Sequence, residues 1–300
     1  MQESSFLFDS FDGKKIFVRQ WTPKEEPKFV FQIFHGMAEH SGRYAKLAEY
    51  LTSLGFLVFA DDHRAHGNTD MDTLGYCKGS IWKDTLKDLQ LLNRSYKQKY
   101  PNLQYIVFGH SYGSFLLQAY LQQTDSALYD GVILSGSAKM QGAQPCLGKV
   151  VASLGAPKKP ANLIKKLSFD AYNKKFKDGD FISSIEEQSK RYQDDELCGF
   201  VCSNNFYKNF FGGLKGIYSA KNLNKIKKTL SMLIFSGDKD PVGDFGKSVT
   251  KLYETYIGAG LTNVTFKLFK DNRHEVLNDI SANESYKLIS DFVFSLKGQK

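Results

Sequence analysis

The segment GHSYG, residues 109–113, places a serine between two glycines directly after the apolar run LQYIVF. If the chain turns sharply there from a strand into a helix, the turn exposes the Ser111 hydroxyl above the sheet edge as a nucleophile. The helix N-terminus behind the serine favours negative charge, such as the charge that develops during acyl transfer. The alternative is an ordinary turn in which Ser111 only caps the helix. Gly-x-Ser-x-Gly alone does not decide between them, so the surrounding residues must.

A serine hydroxyl needs a neighbouring base before it can attack a carbonyl group. Of the six histidines in the chain, five precede Ser111, and the sixth is His274 in the segment FKDNRHEVLND. When a nucleophilic serine lies at such a turn, the acid and then the histidine follow it along the chain. His274 is therefore the predicted base, and the alternative is a solvated loop histidine.

The base needs a carboxylate that orients the imidazole ring and stabilises its protonated form. The segment LIFSGDKDPVG offers Asp238 and Asp240 at the end of a predicted strand. We predict Asp240, because it lies further into the loop and Pro241 stiffens the chain beside it. Asp238 lies closer to the strand and is expected to hold the loop through backbone hydrogen bonds.

Acyl transfer also needs two hydrogen-bond donors for the oxyanion. One is expected from the backbone N–H of Tyr112, the residue after the serine. The other is expected from the loop HGMAEHSGRY, which follows the apolar run FVFQIF, and we predict the backbone N–H of Met37. His35 is expected to support this loop.

The elements that must position these residues are short apolar runs alternating with segments of helical periodicity. Continuous apolar runs are typical of strands buried on both faces of a sheet. Their alternation with helices predicts a mainly parallel sheet with helices on both faces, and the segment FDGK near the N-terminus predicts a hairpin. The predicted strands after the hairpin are FVFQIF, FLVFA, LQYIVFG, GVILSG, LSMLIFSG and VTFKLFK.

Residues 139–228 interrupt this alternation and are predicted to be a helical cap inserted into a core formed by residues 1–138 and 229–300. The insertion has 17 Lys and Arg against 8 Asp and Glu, whereas the whole chain carries a net charge of +8. The basic character therefore belongs to the insertion. Two interpretations stay open, a solvated lysine-rich face and a surface that attracts anionic groups.

The bulk composition is typical of a soluble globular protein, with 42% hydrophobic and 24% charged residues. No apolar run approaches the roughly 20 residues of a membrane span, and no secretory signal is recognised at the start, so a cytoplasmic location is expected. The four cysteines have no disulfide-framework spacing and fit reduced thiols. Cys198 and Cys202 have a spacing seen at zinc sites, but no second pair or nearby histidine completes one, and neither a metal nor a cofactor is predicted.

Five segments in this order, HGMAEHSGRY, DHRAHGNT, GHSYG, GDKDPV and RHEVLND, resemble the monoacylglycerol lipase and lysophospholipase branch of the α/β-hydrolase superfamily, which is also described as serine aminopeptidase-like. The resemblance extends from about Phe6 to the C-terminal helix and is weakest in the insertion. It implies the α/β-hydrolase fold with a helical cap over the active site. It also implies a set of site residues: the triad Ser111, Asp240 and His274, and an oxyanion hole formed by the amides of Met37 and Tyr112.

This chain departs from the family pattern in one loop. Where the family usually has Asp-x-x-Gly-His-Gly-x-Ser, the chain has Ala65 and Thr69. The two side chains make the loop bulkier, and we expect them to affect the fit of the substrate.

These observations predict a serine hydrolase that cleaves carboxylic esters through an acyl-enzyme, with a monoacylglycerol or lysophospholipid-like substrate. A small-acyl or aryl esterase, an aminopeptidase-like hydrolase and a non-catalytic ligand-binding protein on the same fold remain open. The expected partners are a small-molecule ester or lipid and, weakly, an anionic membrane surface. Nucleic acid is not expected, because no recognition motif accompanies the lysines. The sequence does not determine the oligomeric state.

Overall fold

The computed structural model describes residues 1–123 and 128–296, and their central feature is one sheet of eight strands. The strands are β1 (Gln2–Asp9), β2 (Lys15–Thr22), β3 (Phe29–Phe34), β4 (Phe56–Asp61), β5 (Gln104–His110), β6 (Gly131–Ser135), β7 (Ser231–Gly237) and β8 (Asn263–Phe269). Their order across the sheet is β1-β2-β4-β3-β5-β6-β7-β8. The pairs β1–β2 and β2–β4 are antiparallel, and all the others are parallel. The predicted hairpin and the mainly parallel sheet are confirmed.

Eleven α-helices complete the described part of the chain. They are α1 (Ala45–Ser53), α2 (Ile81–Lys99), α3 (Tyr112–Tyr120), α4 (Ala143–Leu154), α5 (Asn162–Leu167), α6 (Phe169–Asn173), α7 (Glu186–Gln193), α8 (Asn204–Leu214), α9 (Ala220–Leu223), α10 (Lys247–Gly258) and α11 (Ala282–Ser295). Helices α2, α3 and α10 pack in the hydrophobic cluster on one face of the sheet, and α1 and α11 pack in the cluster on the other. The predicted arrangement, with helices on both faces of a mainly parallel sheet, is thereby confirmed.

The central strands are apolar throughout because both of their faces are covered. Successive side chains of a strand point to opposite faces. Val30 and Val107 accordingly belong to one hydrophobic cluster, whereas their neighbours Phe31 and Phe108 belong to the other. This double burial fixes β3 and β5, the strands that precede the candidate oxyanion loop and the serine.

The insertion, residues 139–228, lies between β6 and β7. Its regular elements are the six helices α4 to α9, and in this segment the extended pairing is a single isolated bridge between Pro160 and Ser203. The helical character expected for this segment agrees with the structure. Residues 124–127 and 297–300 of the predicted core lie outside the described residues. Within the described ranges, no helix combines the length and apolar character needed to cross a bilayer.

Candidate active site

Ser111 lies at the turn between β5 and α3, with backbone angles of φ 50° and ψ −118°. The turn is tight enough to require glycine on both sides. A Cβ atom at Gly109 would be 2.6 Å from the carbonyl oxygen of Gly113, and a Cβ atom at Gly113 would be 2.0 Å from that of Phe34. The Ser111 side chain makes no capping hydrogen bond to α3. The simple helix-cap interpretation therefore does not describe this serine.

His274 lies in the loop between β8 and α11 and faces the serine. Its Nε2 atom is 2.9 Å from the Ser111 hydroxyl oxygen, and its Nδ1 atom is 3.0 Å from Oδ2 of Asp240. With the proton on Nδ1 donated to the carboxylate, Nε2 is free to accept the hydroxyl hydrogen of Ser111. The structure thus brings together three residues that are far apart in the sequence.

Asp240 and Asp238 lie in the same loop but have different surroundings. Asp240 is fully buried, and its carboxylate accepts hydrogen bonds from the Ser236 hydroxyl and the Val242 backbone N–H as well as from His274. Asp238 instead accepts a hydrogen bond from the Asp271 backbone N–H at 2.7 Å. Asp240 is therefore the carboxylate hydrogen-bonded to His274, whereas Asp238 is hydrogen-bonded to the backbone of the neighbouring loop.

The buried pair of His274 and Asp240 favours the charged form of both side chains. Burial alone lowers the pKa of His274, but the Asp240 carboxylate outweighs it and the net pKa lies above 6.5. Burial alone raises the pKa of Asp240, but the charge and hydrogen bonds of its partners hold the net pKa below its usual value. This environment stabilises the imidazolium that forms when a base takes a proton.

A second buried histidine, His110, lies beside this pair, with its ring centroid 4.9 Å from that of His274. Burial and the neighbouring His274 lower the pKa of His110 to about 4. His110 is therefore neutral near pH 7 and does not oppose protonation of His274.

Met37 and Tyr112 line the same cavity as Ser111. Tyr112 is the first residue of α3, where a backbone N–H has no acceptor within the helix. Met37 lies in the loop after β3, and His35 supports that loop by accepting a hydrogen bond from the His63 backbone N–H at 2.9 Å. The two residues predicted to supply the oxyanion donors therefore line the cavity that contains Ser111.

Residues 25–281 match the family described as serine aminopeptidase, S33. The chain belongs to that family. Over 299 residues it is 28% identical to the monoacylglycerol lipase of Mycolicibacterium smegmatis. This match covers 97% of this chain and 96% of that protein. A shorter match of 103 residues is 37% identical to the monoglyceride lipase of Homo sapiens and covers 34% of this chain and 33% of the human protein.

Among solved structures, a thermostable carboxyl esterase from Bacillus coagulans in complex with glycerol has a TM-score of 0.87 to this chain and is 27% identical, with 99% of both chains covered. A lipase in an open form has the same TM-score and is 26% identical. The chain is a carboxylic ester hydrolase of the α/β-hydrolase fold, in the branch that contains the monoacylglycerol lipases.

An apolar cavity of about 310 Å³ opens at Ser111 in this S33-family hydrolase. Its walls come from the core and from helices α4, α5, α6 and α8 of the insertion, and no charged side chain of the described residues lines it. The apolar wall includes Phe115, Met140, Leu147, Val151, Ile164, Leu167, Phe169, Tyr207, Phe210 and Phe211. A hydrocarbon chain fits such a surface, whereas a charged substituent would lose its hydration there.

A second cavity of about 340 Å³ shares Phe169 and Tyr207 with the first. Its lining is more polar and includes Lys165, Asp170 and Asp180. An apolar and a more polar cavity therefore adjoin at these two aromatic side chains.

The sequence did not point to a buried ion-pair network that joins the Met37 loop to the His274 loop. Arg43 donates hydrogen bonds to Glu39 at 2.8 Å and to Glu275 through both of its terminal nitrogens. Burial alone raises the pKa of Glu275, but Arg43 holds it below its usual range. The available signal was the three charged residues Glu39, Arg43 and Glu275 in the segments EHSGRY and RHEV, because charges in otherwise buried loops need partners.

The two cysteines with zinc-like spacing do not share a site in the described structure. Cys198 instead lies near His40 and Asp195, with ligand atoms within 4.8 Å of one another. His40 accepts the Gly42 N–H on Nδ1, so its Nε2 carries the hydrogen that bonds Asp195 at 2.9 Å. With both ring nitrogens engaged, these residues form a hydrogen-bonded cluster and leave no histidine lone pair free for a metal.

Ala65 and Thr69, the two departures from the family pattern, line neither of the two cavities. Ala65 has φ 68°, a left-handed conformation that favours glycine. The Thr69 hydroxyl accepts the Phe17 N–H and donates to the Asp62 carbonyl. Both residues therefore act on the packing of their loop and are not part of the walls of these cavities.

Proposed function

We propose that this hydrolase cleaves monoacylglycerols or closely similar glycerol lipid monoesters through Ser111, His274 and Asp240. The observation that carries the proposal is the continuous chain of hydrogen bonds from Ser111 through His274 to Asp240 at the mouth of an uncharged cavity. The full-length similarity to a bacterial monoacylglycerol lipase supports the substrate class.

The reaction follows from this geometry. His274 Nε2 takes the Ser111 hydroxyl proton as the oxygen attacks the ester carbonyl carbon, and Asp240 stabilises the imidazolium. The backbone N–H groups of Met37 and Tyr112 stabilise the negative oxygen of the tetrahedral intermediate. The carbon–oxygen bond to the alcohol then breaks, His274 protonates the leaving alcohol, and an acyl-serine remains. Water attacks this ester by the same route and releases the fatty acid and free Ser111.

The insertion acts in this proposal as a cap that selects the acyl chain. Four of its helices supply much of the apolar wall beside Ser111, so the acyl chain lies against the cap and the glycerol group faces the polar cavity. The apolar cavity is at the small end of the roughly 300–1,000 Å³ that is usual for ligand pockets.

The outer surface of the same cap supports contact with an anionic lipid surface. Helices α4 and α5 carry exposed apolar side chains outside the cavity, of which Leu154 is 83% and Leu163 is 56% exposed. Residues 139–169 contain six lysines and no Asp or Glu. Apolar insertion and attraction to anionic headgroups, at roughly 1 kcal/mol for each well-placed basic residue, would act together. A cytoplasmic location is supported by free thiols at all four cysteines.

A fluorophosphonate probe and a substrate panel test the proposal. Wild type should be labelled once per chain and should hydrolyse monoacylglycerols faster than a lysophospholipid, an aryl acetate or an aminoacyl anilide. Ser111→Ala should abolish labelling and lower turnover by roughly three orders of magnitude or more. Ser153→Ala, on the exposed side of α4, is the matched control. Stoichiometric labelling of Ser111→Ala would refute the nucleophile, and a preference for the anilide would refute the substrate class.

A further inference from the structure

The loop that carries His274 is paired with a segment of the insertion, residues 178–184. The backbone N–H of His274 donates to the carbonyl oxygen of Phe181 at 3.2 Å, and that of Glu275 donates to the carbonyl oxygen of Ile182 at 2.9 Å. The Ser183 hydroxyl continues the pairing by donating to the carbonyl oxygen of Asn278. The proposed base therefore receives its backbone support from the insertion as well as from the core.

Arg273, directly before the histidine, adds side-chain contacts to this backbone pairing. One terminal nitrogen of its guanidinium group donates to the carbonyl oxygens of Asp180 and Ser183 at 2.6 and 3.0 Å, and the other is 2.7 Å from the Asp178 carboxylate. Its side chain is only 14% exposed, and its backbone N–H donates to Asp279 at 2.7 Å. A planar group with five donors can hold several acceptors in one fixed geometry, which a lysine cannot reproduce.

The same segment connects the apolar cavity with the histidine ring. The Phe181 ring centroid lies 5.5 Å from that of His274. On its other side it lies 5.7 Å from Phe169 and 5.5 Å from Tyr172, and both of these residues line the apolar cavity. Aromatic contacts at these distances are within the range in which ring pairs stabilise one another.

We infer that Arg273 is a positioning residue, which locks residues 178–184 of the insertion to the His274 loop so that His274 stays aligned with Ser111 and Asp240. The inference rests on the proposed function and names a residue that touches neither the substrate nor the reacting atoms. A misplacement of about 1 Å at a reacting group is enough to slow a reaction roughly a hundredfold. Loss of the Arg273 contacts should therefore lower turnover more than it weakens substrate binding.

The experiment compares Arg273→Met and Arg273→Lys with a matched control, Arg191→Met. Arg191 is also an arginine of the insertion, but it is 55% exposed, and its ion-pair partner among the described residues is the exposed Glu187 on α7. Each protein is assayed with an ester that wild type hydrolyses, kcat is divided by the number of sites titrated with a fluorophosphonate, and thermal unfolding is recorded in parallel. Asp178→Asn, which removes the charged partner of Arg273 and lies in neither cavity lining, provides a second variant with the same expected direction if Arg273→Met does not fold.

We expect kcat per titrated site to fall roughly tenfold or more in Arg273→Met while KM stays within about twofold, since only alignment is lost. Arg273→Lys should recover part of the loss, and Arg191→Met should match wild type. An unchanged kcat per titrated site with a lowered Tm would overturn the inference and leave Arg273 a purely stabilising residue. Activity that survives Ser111→Ala would overturn the proposed function instead, so the two failures are distinguishable.

Discussion

Gly113 lies so close to Phe34 that a Cβ atom at position 113 would be 2.0 Å from the Phe34 carbonyl oxygen. That oxygen belongs to the backbone of a buried strand and cannot move aside easily. We therefore expect Gly113→Ala to reduce the free energy of unfolding by about 1–3 kcal/mol, as is usual for overpacking, and to displace Ser111 enough to impair ester hydrolysis.

The control for this change is Gly258→Ala in α10, where an added Cβ atom would meet nothing within 4 Å. Alanine is favoured over glycine in a helix by about 0.5–1 kcal/mol, so this variant should be neutral or slightly more stable. Denaturant unfolding of both variants measures the difference. Equal stability of the two would contradict the steric explanation of the glycine at 113.

Asp240 and Asp238 should respond differently to the same substitution. Asp240→Asn removes the negative partner of the imidazolium and favours the wrong tautomer of His274, so we expect turnover to fall by up to roughly ten-thousandfold. Asp238→Asn leaves His274 untouched and should change turnover little. Steady-state kinetics on one soluble ester decide the point. A large loss in the Asp238 variant alone would show that the carboxylates are wrongly assigned.

The pH dependence of hydrolysis should report the raised pKa of His274. The proposed base must be neutral to accept a proton, and the Asp240 carboxylate holds the pKa of His274 above 6.5 in the folded protein. Consequently kcat/KM should fall as the pH falls, with a midpoint above 6.5. A pH profile of kcat/KM, together with an NMR titration of His274 in Ser111→Ala, measures it. A midpoint below 6.5 would contradict the dominant influence of Asp240.

Leu154 provides a test of lipid contact, because it is 83% exposed on α4 and does not line the apolar cavity. Wild type should sediment with vesicles that contain phosphatidylglycerol more than with pure phosphatidylcholine vesicles, and added salt should weaken the binding. Leu154→Asp should reduce sedimentation because it removes an inserting side chain and adds a repelled charge.

Leu7→Asp is the matched control for Leu154→Asp, since Leu7 is 59% exposed on β1 at the edge of the sheet. It should bind vesicles like wild type, and both variants should hydrolyse a water-soluble ester at the wild-type rate. If wild type binds neutral and anionic vesicles equally, the lysines of the cap form a solvated face and do not recognise anionic lipid.

The sheet and the positions of Ser111, Asp240 and His274 could be predicted because their signals are local. Buried parallel strands appear as apolar runs, and each of the three residues lies in the turn or loop that follows a predicted strand. The sharp turn at Ser111 also requires glycines at fixed neighbouring positions, which the sequence displays directly. The helical nature of the insertion followed in the same way from the absence of a strand pattern.

The supporting contacts could not be predicted, because their partners are distant in the chain. Arg43 and Glu275 are separated by 232 positions, and His40 and Asp195 by 155. Nothing in the local sequence specifies which buried charge meets which partner, since that depends on how the loops fold over the sheet edge. The contacts of Arg273 could not be predicted for the same reason, as its acceptors are mainly backbone carbonyl groups of the insertion.

The pairing of residues 178–184 with the His274 loop means that parts of the insertion should differ in how well they tolerate changes of length during evolution. An inserted or deleted residue at Phe181 or Ile182 would shift the carbonyl groups that accept hydrogen bonds from the backbone N–H groups of His274 and Glu275. Among the described residues, helices α4 and α5 make no backbone hydrogen bond to the His274 loop. Insertions and deletions among relatives should therefore accumulate in α4, α5 and their connection, and changes in acyl preference should arise there without loss of the catalytic geometry.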